Sequence, residues 1–179
     1  MTLIIPVSRR NKVIISVVSF FILLFIFVSF MFKATITTET FKTKAEELNF
    51  EVIDVKDQYA TNEDIEEAFS AKYIKKQEEQ DEKKENDKQD DDENQLEFYI
   101  FKDIDSAIKM YNVYNSRFED SNVLAKKEIT AKRINYASYT LLARGHYMHI
   151  CRVENTLLYA RVKYDDREEY KKLIKELDY

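Results

Sequence analysis

Residues Val13 to Phe32, VIISVVSFFILLFIFVSFMF, run for twenty positions without a charge, a glycine or a proline. At ~1.5 Å of rise per residue, a helix of that length covers the ~30 Å hydrocarbon layer of a bilayer. A lone segment in that medium must be helical, because its backbone N–H and C=O groups find no water to bond. The stretch is therefore expected to be an N-terminal transmembrane helix, and the remaining features are placed relative to it.

Arg9, Arg10 and Lys12 precede the run, and no acidic residue occurs before Glu39. Short basic flanks stay on the cytoplasmic side. The expected order is thus a cytoplasmic tail over 1–12, a span over 13–32 with membrane lipid as its partner, a Thr-rich stalk over 33–40, and an extracytoplasmic domain over 41–179. This implies a single-pass signal-anchor protein of the cell membrane. A cleavable signal peptide is the competing reading. Against it, the run exceeds a usual signal core, and Ser29-Phe30-Met31-Phe32-Lys33-Ala34 has no small-x-small cleavage pattern.

All 33 acidic side chains lie beyond the span, and only four of the 28 basic ones precede Ala34, which leaves the remainder net acidic. Nucleic acid is excluded as a partner on this balance, since phosphate binding relies on an excess of Lys and Arg. Cys151 is the only cysteine, so no internal disulfide can form and the fold rests on its core. Abundant Lys, Ile and Asn beside one Gly and one Pro suggest a low-GC genome and a Gram-positive-like cell surface.

After the stalk, Thr43-Lys44-Ala45-Glu46 matches a capping box for a short helix that stops at Asn49. Phe50 to Val55 reads as a strand. A second helix is expected from Thr61-Asn62 through Ile65, Ala68 and Phe69. Gln77 to Gln95 then holds ten acidic and three basic residues and no apolar one, so it is expected to be a disordered acidic linker. It lacks the Gly of an EF-hand-type calcium loop, and a solvated insertion is the preferred reading.

Leu96 to Phe101 is apolar on both sides and reads as a central strand. Asp103 can cap the next helix, whose Ile104, Ala107, Ile108, Tyr111, Tyr114 and Phe118 fall on one face. Glu119 to Asn135 reads as a loop with a short helix through Val123 to Lys127. Tyr136 to Ala143, His146 to Val153 and Thr156 to Val162 are separated by the two-residue turns Arg144-Gly145 and Glu154-Asn155, which predicts an antiparallel meander. In that register Val153 faces Thr156, Cys151 faces Leu158 and His149 faces Ala160. A terminal helix capped by Asp165 or Asp166 presents Tyr170, Leu173, Ile174 and Leu177, with Lys171, Lys172 and Lys175 toward the negative end of its dipole. The fold class expected is α+β: one small domain with a mainly antiparallel sheet, built on the three-strand meander and packed by helices on one face.

His146-Tyr147-Met148-His149-Ile150-Cys151-Arg152-Val153-Glu154-Asn155-Thr156-Leu157-Leu158-Tyr159, with the earlier strand Leu96-Glu97-Phe98-Tyr99, resembles small uncharacterised membrane-anchored or lipid-anchored surface domains of low-GC Gram-positive bacteria. The resemblance covers residues 40 to 179 apart from the acidic run. It implies a surface location and a single domain, and brings no catalytic residue, metal ligand or cofactor with it.

The residues suited to chemistry are His146, His149 and Cys151. No third zinc ligand and no orienting group for a Cys–His pair accompanies them, so packing is the preferred reading. In the meander, Tyr147, His149, Cys151, Val153, Leu158, Ala160 and Val162 share the more apolar face and are expected to meet the helices. The opposite face carries Arg152, Arg161, His146 and Tyr159, a mixture of guanidinium and aromatic groups enriched at protein contacts. These four are the candidate partner-binding residues, beside the reading that they are ordinary solvent-side residues. The expected function is a non-catalytic interaction or ligand-binding domain with a protein partner at the membrane or envelope, as in an accessory subunit. The alternative is a membrane-anchored cell-envelope hydrolase.

Overall fold

The computed structural model describes residues 9–75, 94–120 and 125–179. The chain divides into two units, Met1–Lys33 and Ala34–Tyr179. In the first, helix α1 occupies Arg9–Met31. Its described side chains run from Ile14 to Val28 and are all exposed. Among the described residues no helix is long and apolar enough to cross a membrane, which corrects the transmembrane helix expected over Val13 to Phe32.

The second unit is an α+β domain around a seven-stranded sheet in the order β1-β2-β3-β7-β6-β5-β4, with every neighbouring pair antiparallel. Helix α2 (Thr38–Glu47) leads into β1 (Phe50–Asp54), a 3₁₀ turn at Lys56–Tyr59, β2 (Ile65–Tyr73) and β3 (Gln95–Phe101). Helix α3 (Ile104–Asp120) then carries the chain to the far edge of the sheet. From there β4 (Ala125–Lys132), β5 (Tyr136–Ala143), β6 (His146–Val153) and β7 (Thr156–Lys163) fold back until β7 lies beside β3. A 3₁₀ turn at Tyr164–Asp166 and helix α4 (Arg167–Glu176) follow.

Each departure from the expected elements has a local cause. Thr37, not Thr43, caps α2 by accepting from the Thr40 amide at 3.2 Å, so the helix begins inside the expected stalk. Asn49 does stop it, with φ 62°. The helix expected from Thr61 is strand β2. A bulge between Ile65 and Glu67 inserts one residue, so Ile65 and Ala68 point to the same face and imitate helical spacing. The region expected to hold a short helix at Val123 to Lys127 enters β4, which turns the three-strand meander into four strands. That strand is a sheet edge, and its lysines suit an edge that must resist pairing with other chains. Of the acidic linker expected over Gln77 to Gln95, residues 77–93 lie outside the described residues, and its end is corrected: Gln95 opens β3 and Asn94 is hydrogen-bonded to Asp166.

The expectation that helices cover one face of the sheet is also corrected, since they cover both. On one face α2 (Phe41, Ala45) and α4 (Tyr170, Leu173, Ile174, Leu177) pack with Phe50, Phe69, Leu96, Phe98, Tyr147, Leu158, Ala160 and Val162. On the other, α3 (Ala107, Phe118) packs with Tyr99, Phe101, Tyr139, Leu141, Met148, Ile150, Leu157 and Tyr159. Strand β6 is apolar on both sides, and burying both demands a layer above and a layer below. Helix α3 starts as expected, with the Ser106 amide donating to Asp103 Oδ1 at 2.7 Å. Its buried stripe is narrower than the sequence pattern, because Ile104 and Ile108 are exposed.

Candidate functional site

Helix α4 and the strands beneath it form the most distinctive opening in the Ala34–Tyr179 unit, a cleft of about 480 Å³. The helix is held down by its apolar stripe and closed by its own C-terminus. The Leu177 amide bonds Leu173 O, the Asp178 amide bonds Lys175 O and the Tyr179 amide bonds Ile174 O, each at 3.0 Å. Asp178 takes φ 56° to make that reversal. Tyr179 then turns inward, sharing a hydrogen bond with the Thr156 hydroxyl and setting its ring edge-on to Phe98 at 6.2 Å.

The floor of the cleft is β6, where Tyr147 and His149 stand side by side with rings 6.2 Å apart and nearly parallel. His149 is fixed by Thr140 of β5, whose Oγ1 lies 2.8 Å from His149 Nδ1. Ile174 and Tyr179 complete the apolar wall, and burial pushes the Tyr147 and Tyr179 phenols well above their ordinary range. The rim is cationic. Lys171, Lys172 and Lys175 line it together with Glu168 and Asp178. Glu168 is already engaged, by Lys171 Nζ at 3.2 Å and by Arg167 Nε at 3.0 Å. Lys172 and Lys175 have no ion-pair partner among the described residues. Two ammonium groups with no ion-pair partner among the described residues, over an aromatic and aliphatic floor, are suited to hold a small organic anion.

The four residues singled out from the sequence share the other face of the sheet, and that face lies under α3 instead of facing solvent. Tyr159 is buried, with its ring stacked on Tyr114 of α3 at 4.4 Å, and burial pushes its phenol up to about 12. Arg152 is buried too and donates to the Glu154 carbonyl at 3.0 Å. Arg161 and His146 are half-buried. His146 and Arg152 stand at opposite ends of β6, ~20 Å apart at the rise of an extended strand, so the fold does not gather the four into one patch. His146 lines a separate cleft of about 460 Å³ with Gly145, Lys163, Tyr164 and Asp165.

Beneath α3 lies a buried polar cluster that the sequence did not reveal. Glu97 of β3 is almost fully buried. It accepts from the hydroxyl of Tyr59 at 3.0 Å and from that of Tyr99. The Tyr99 oxygen also lies 2.9 Å from Tyr59 and 3.3 Å from Tyr114. Burial raises the phenols of Tyr59, Tyr99 and Tyr114. With Glu97 and Tyr99 buried and Tyr59 and Tyr114 half-buried, this cluster ties the 3₁₀ turn, β3 and α3 together.

Cys151 is fully buried on the α2 and α4 face. Among the described residues no group of three or more His, Cys, Asp and Glu side chains is placed to hold a metal ion. No protein family, curated protein or solved structure matches this chain.

Proposed function

We propose that the Ala34–Tyr179 unit is a non-catalytic binding module whose ligand is a small organic anion seated between β6 and α4. The observation that carries this reading is the pairing of Lys172 and Lys175, which have no ion-pair partner among the described residues, with the Tyr147, His149 and Ile174 floor. Three groups with nucleophilic or acid–base potential support binding over turnover. Cys151 is closed off from any substrate, Glu97 is enclosed by tyrosines, and His149 is held by Thr140. An interaction module of this kind needs no activated side chain, only a shaped and charged cleft.

The test is to record amide spectra of the full chain while titrating benzoate, phenyl phosphate and benzamidine. At least one of the two anions should shift the amides of Tyr147, His149 and residues 171–179, and the cation benzamidine should leave them still. Absence of any anion-induced shift in this set, with the chain folded, would overturn the proposal.

A further inference from the structure

We infer that Tyr99 is a redox-active tyrosine: a diffusing one-electron oxidant takes its electron at the surface of α3, its hydroxyl proton passes to Glu97, and a long-lived neutral radical stays inside the domain. The inference stands apart from the cleft and rests on the polar cluster beneath α3.

Loss of an electron alone would leave a radical cation in an interior that solvates charge poorly. The proton therefore has to leave with the electron, and burial together with the Glu97 charge keeps it on the phenol beforehand. That demands an acceptor already within hydrogen-bond reach. Glu97 meets the demand, because both of its oxygens accept, Oε1 from Tyr59 at 3.0 Å and Oε2 from Tyr99, the pattern of an ionised carboxylate. The step converts Tyr99–OH and Glu97–COO⁻ into Tyr99–O• and Glu97–COOH, and the oxidant is reduced by the electron released. The buried negative charge disappears in the same event, which a low-dielectric interior favours.

Three features direct the radical to Tyr99. Its side chain is fully buried, so neither water nor a second tyrosine reaches the ring, whereas Tyr59 and Tyr114 are half-buried. The Tyr114 hydroxyl, 3.3 Å from the Tyr99 oxygen, is placed to donate to the phenoxyl left behind. The Arg117 guanidinium lies 5.5 Å from the centre of the Tyr114 ring, and a nearby cation opposes electron loss there. Tyr114 is instead the way out, half-buried on α3 and stacked on Tyr159 at 4.4 Å.

The test is to mix the full chain with hexachloroiridate(IV), freeze samples at increasing times and record electron paramagnetic resonance. A tyrosyl signal should outlast that of exposed tyrosines such as Tyr164, and its oxygen should carry a hydrogen bond, seen as a coupling that is lost in heavy water. Tyr99→Phe should lose the lasting signal. Glu97→Gln should lose it too, because an amide does not take up the proton, and Tyr164→Phe should keep it. Circular dichroism establishes that each variant is folded. A wild-type chain that gives only the short-lived signal, or a lasting one without the exchangeable coupling, would overturn the inference whatever the variants do. A lasting signal in folded Tyr99→Phe or folded Glu97→Gln would overturn it as well.

Discussion

Replacing Tyr99 with Phe deletes one oxygen from the enclosed cluster and leaves the packing volume almost intact. Tyr99 is fully buried, so no water can take the place of the lost hydroxyl. The change removes its bond to Glu97 and strips Tyr59 and Tyr114 of an oxygen 2.9 Å and 3.3 Å away. A buried bond to a carboxyl oxygen contributes ~1.5–3 kcal/mol, and a tyrosine–tyrosine bond ~0.5–1.5 kcal/mol. The expected loss is about 2–4 kcal/mol. With a urea slope of ~2 kcal/mol/M, the unfolding midpoint should fall by roughly 1–2 M. Far-ultraviolet circular dichroism across a urea series reads this directly. Tyr164→Phe, at an exposed position, is the control and should stay within ~0.5 kcal/mol of wild type. If Tyr99→Phe also stayed within ~0.5 kcal/mol, the cluster would not hold β3 and α3 together as argued.

Other predictions follow from single positions. Leu158, fully buried opposite Phe98 of β3, should cost ~2–5 kcal/mol when replaced by Ala, read from the same urea series. Gly145 sits at φ 78°, and a Cβ at this position would meet nothing within 4 Å, so Gly145→Ala should cost only the left-handed backbone penalty of ~1 kcal/mol; a much larger loss would indicate a steric clash. For Asp166, burial works to raise the carboxyl, but Lys75 at 2.8 Å and Asn94 at 2.7 Å outweigh it and hold the group below its ordinary value. A depressed carboxyl contributes stability that is full above the unfolded pKa of ~3.9 and is lost as pH falls through the folded value. Asp166→Asn should therefore flatten the acid limb of a stability curve measured from pH 6 to pH 2, and an unchanged limb would contradict the assignment.

Strands β5, β6 and β7 are legible in the sequence because two-residue turns fix register. The pairs Val153–Thr156, Cys151–Leu158 and His149–Ala160 occur as expected. The turns form without Asn-Gly, since Arg144 and Glu154 accept φ near 50°. Strand β2 is not legible, because its bulge disguises a period of two as helical spacing. Strand β4 escapes the pattern because an edge strand holds little apolar sequence. The buried face of β6 is hidden for a different reason. His146, Met148, Ile150 and Arg152 look half-polar as a row, yet Met148, Ile150 and Arg152 are all buried, with α3 over that face. The cleft itself is concealed by separation in sequence. On the sequence alone His149 reads as packing and Lys172 and Lys175 as complements to a helix dipole, and only the return of α4 over β6 brings them together. The signal present is a lysine row flanking the apolar stripe of Tyr170, Leu173 and Ile174, with Tyr179 just beyond.

The central claim is that the space between β6 and α4 is where this chain meets its ligand. A crystal structure of the full chain grown with saturating phenyl phosphate tests it most directly. The account predicts the phosphate within hydrogen-bonding distance of the Lys172 and Lys175 ammonium groups and the ring over Tyr147 and Ile174. An empty cleft, or phenyl phosphate bound only elsewhere, would contradict it.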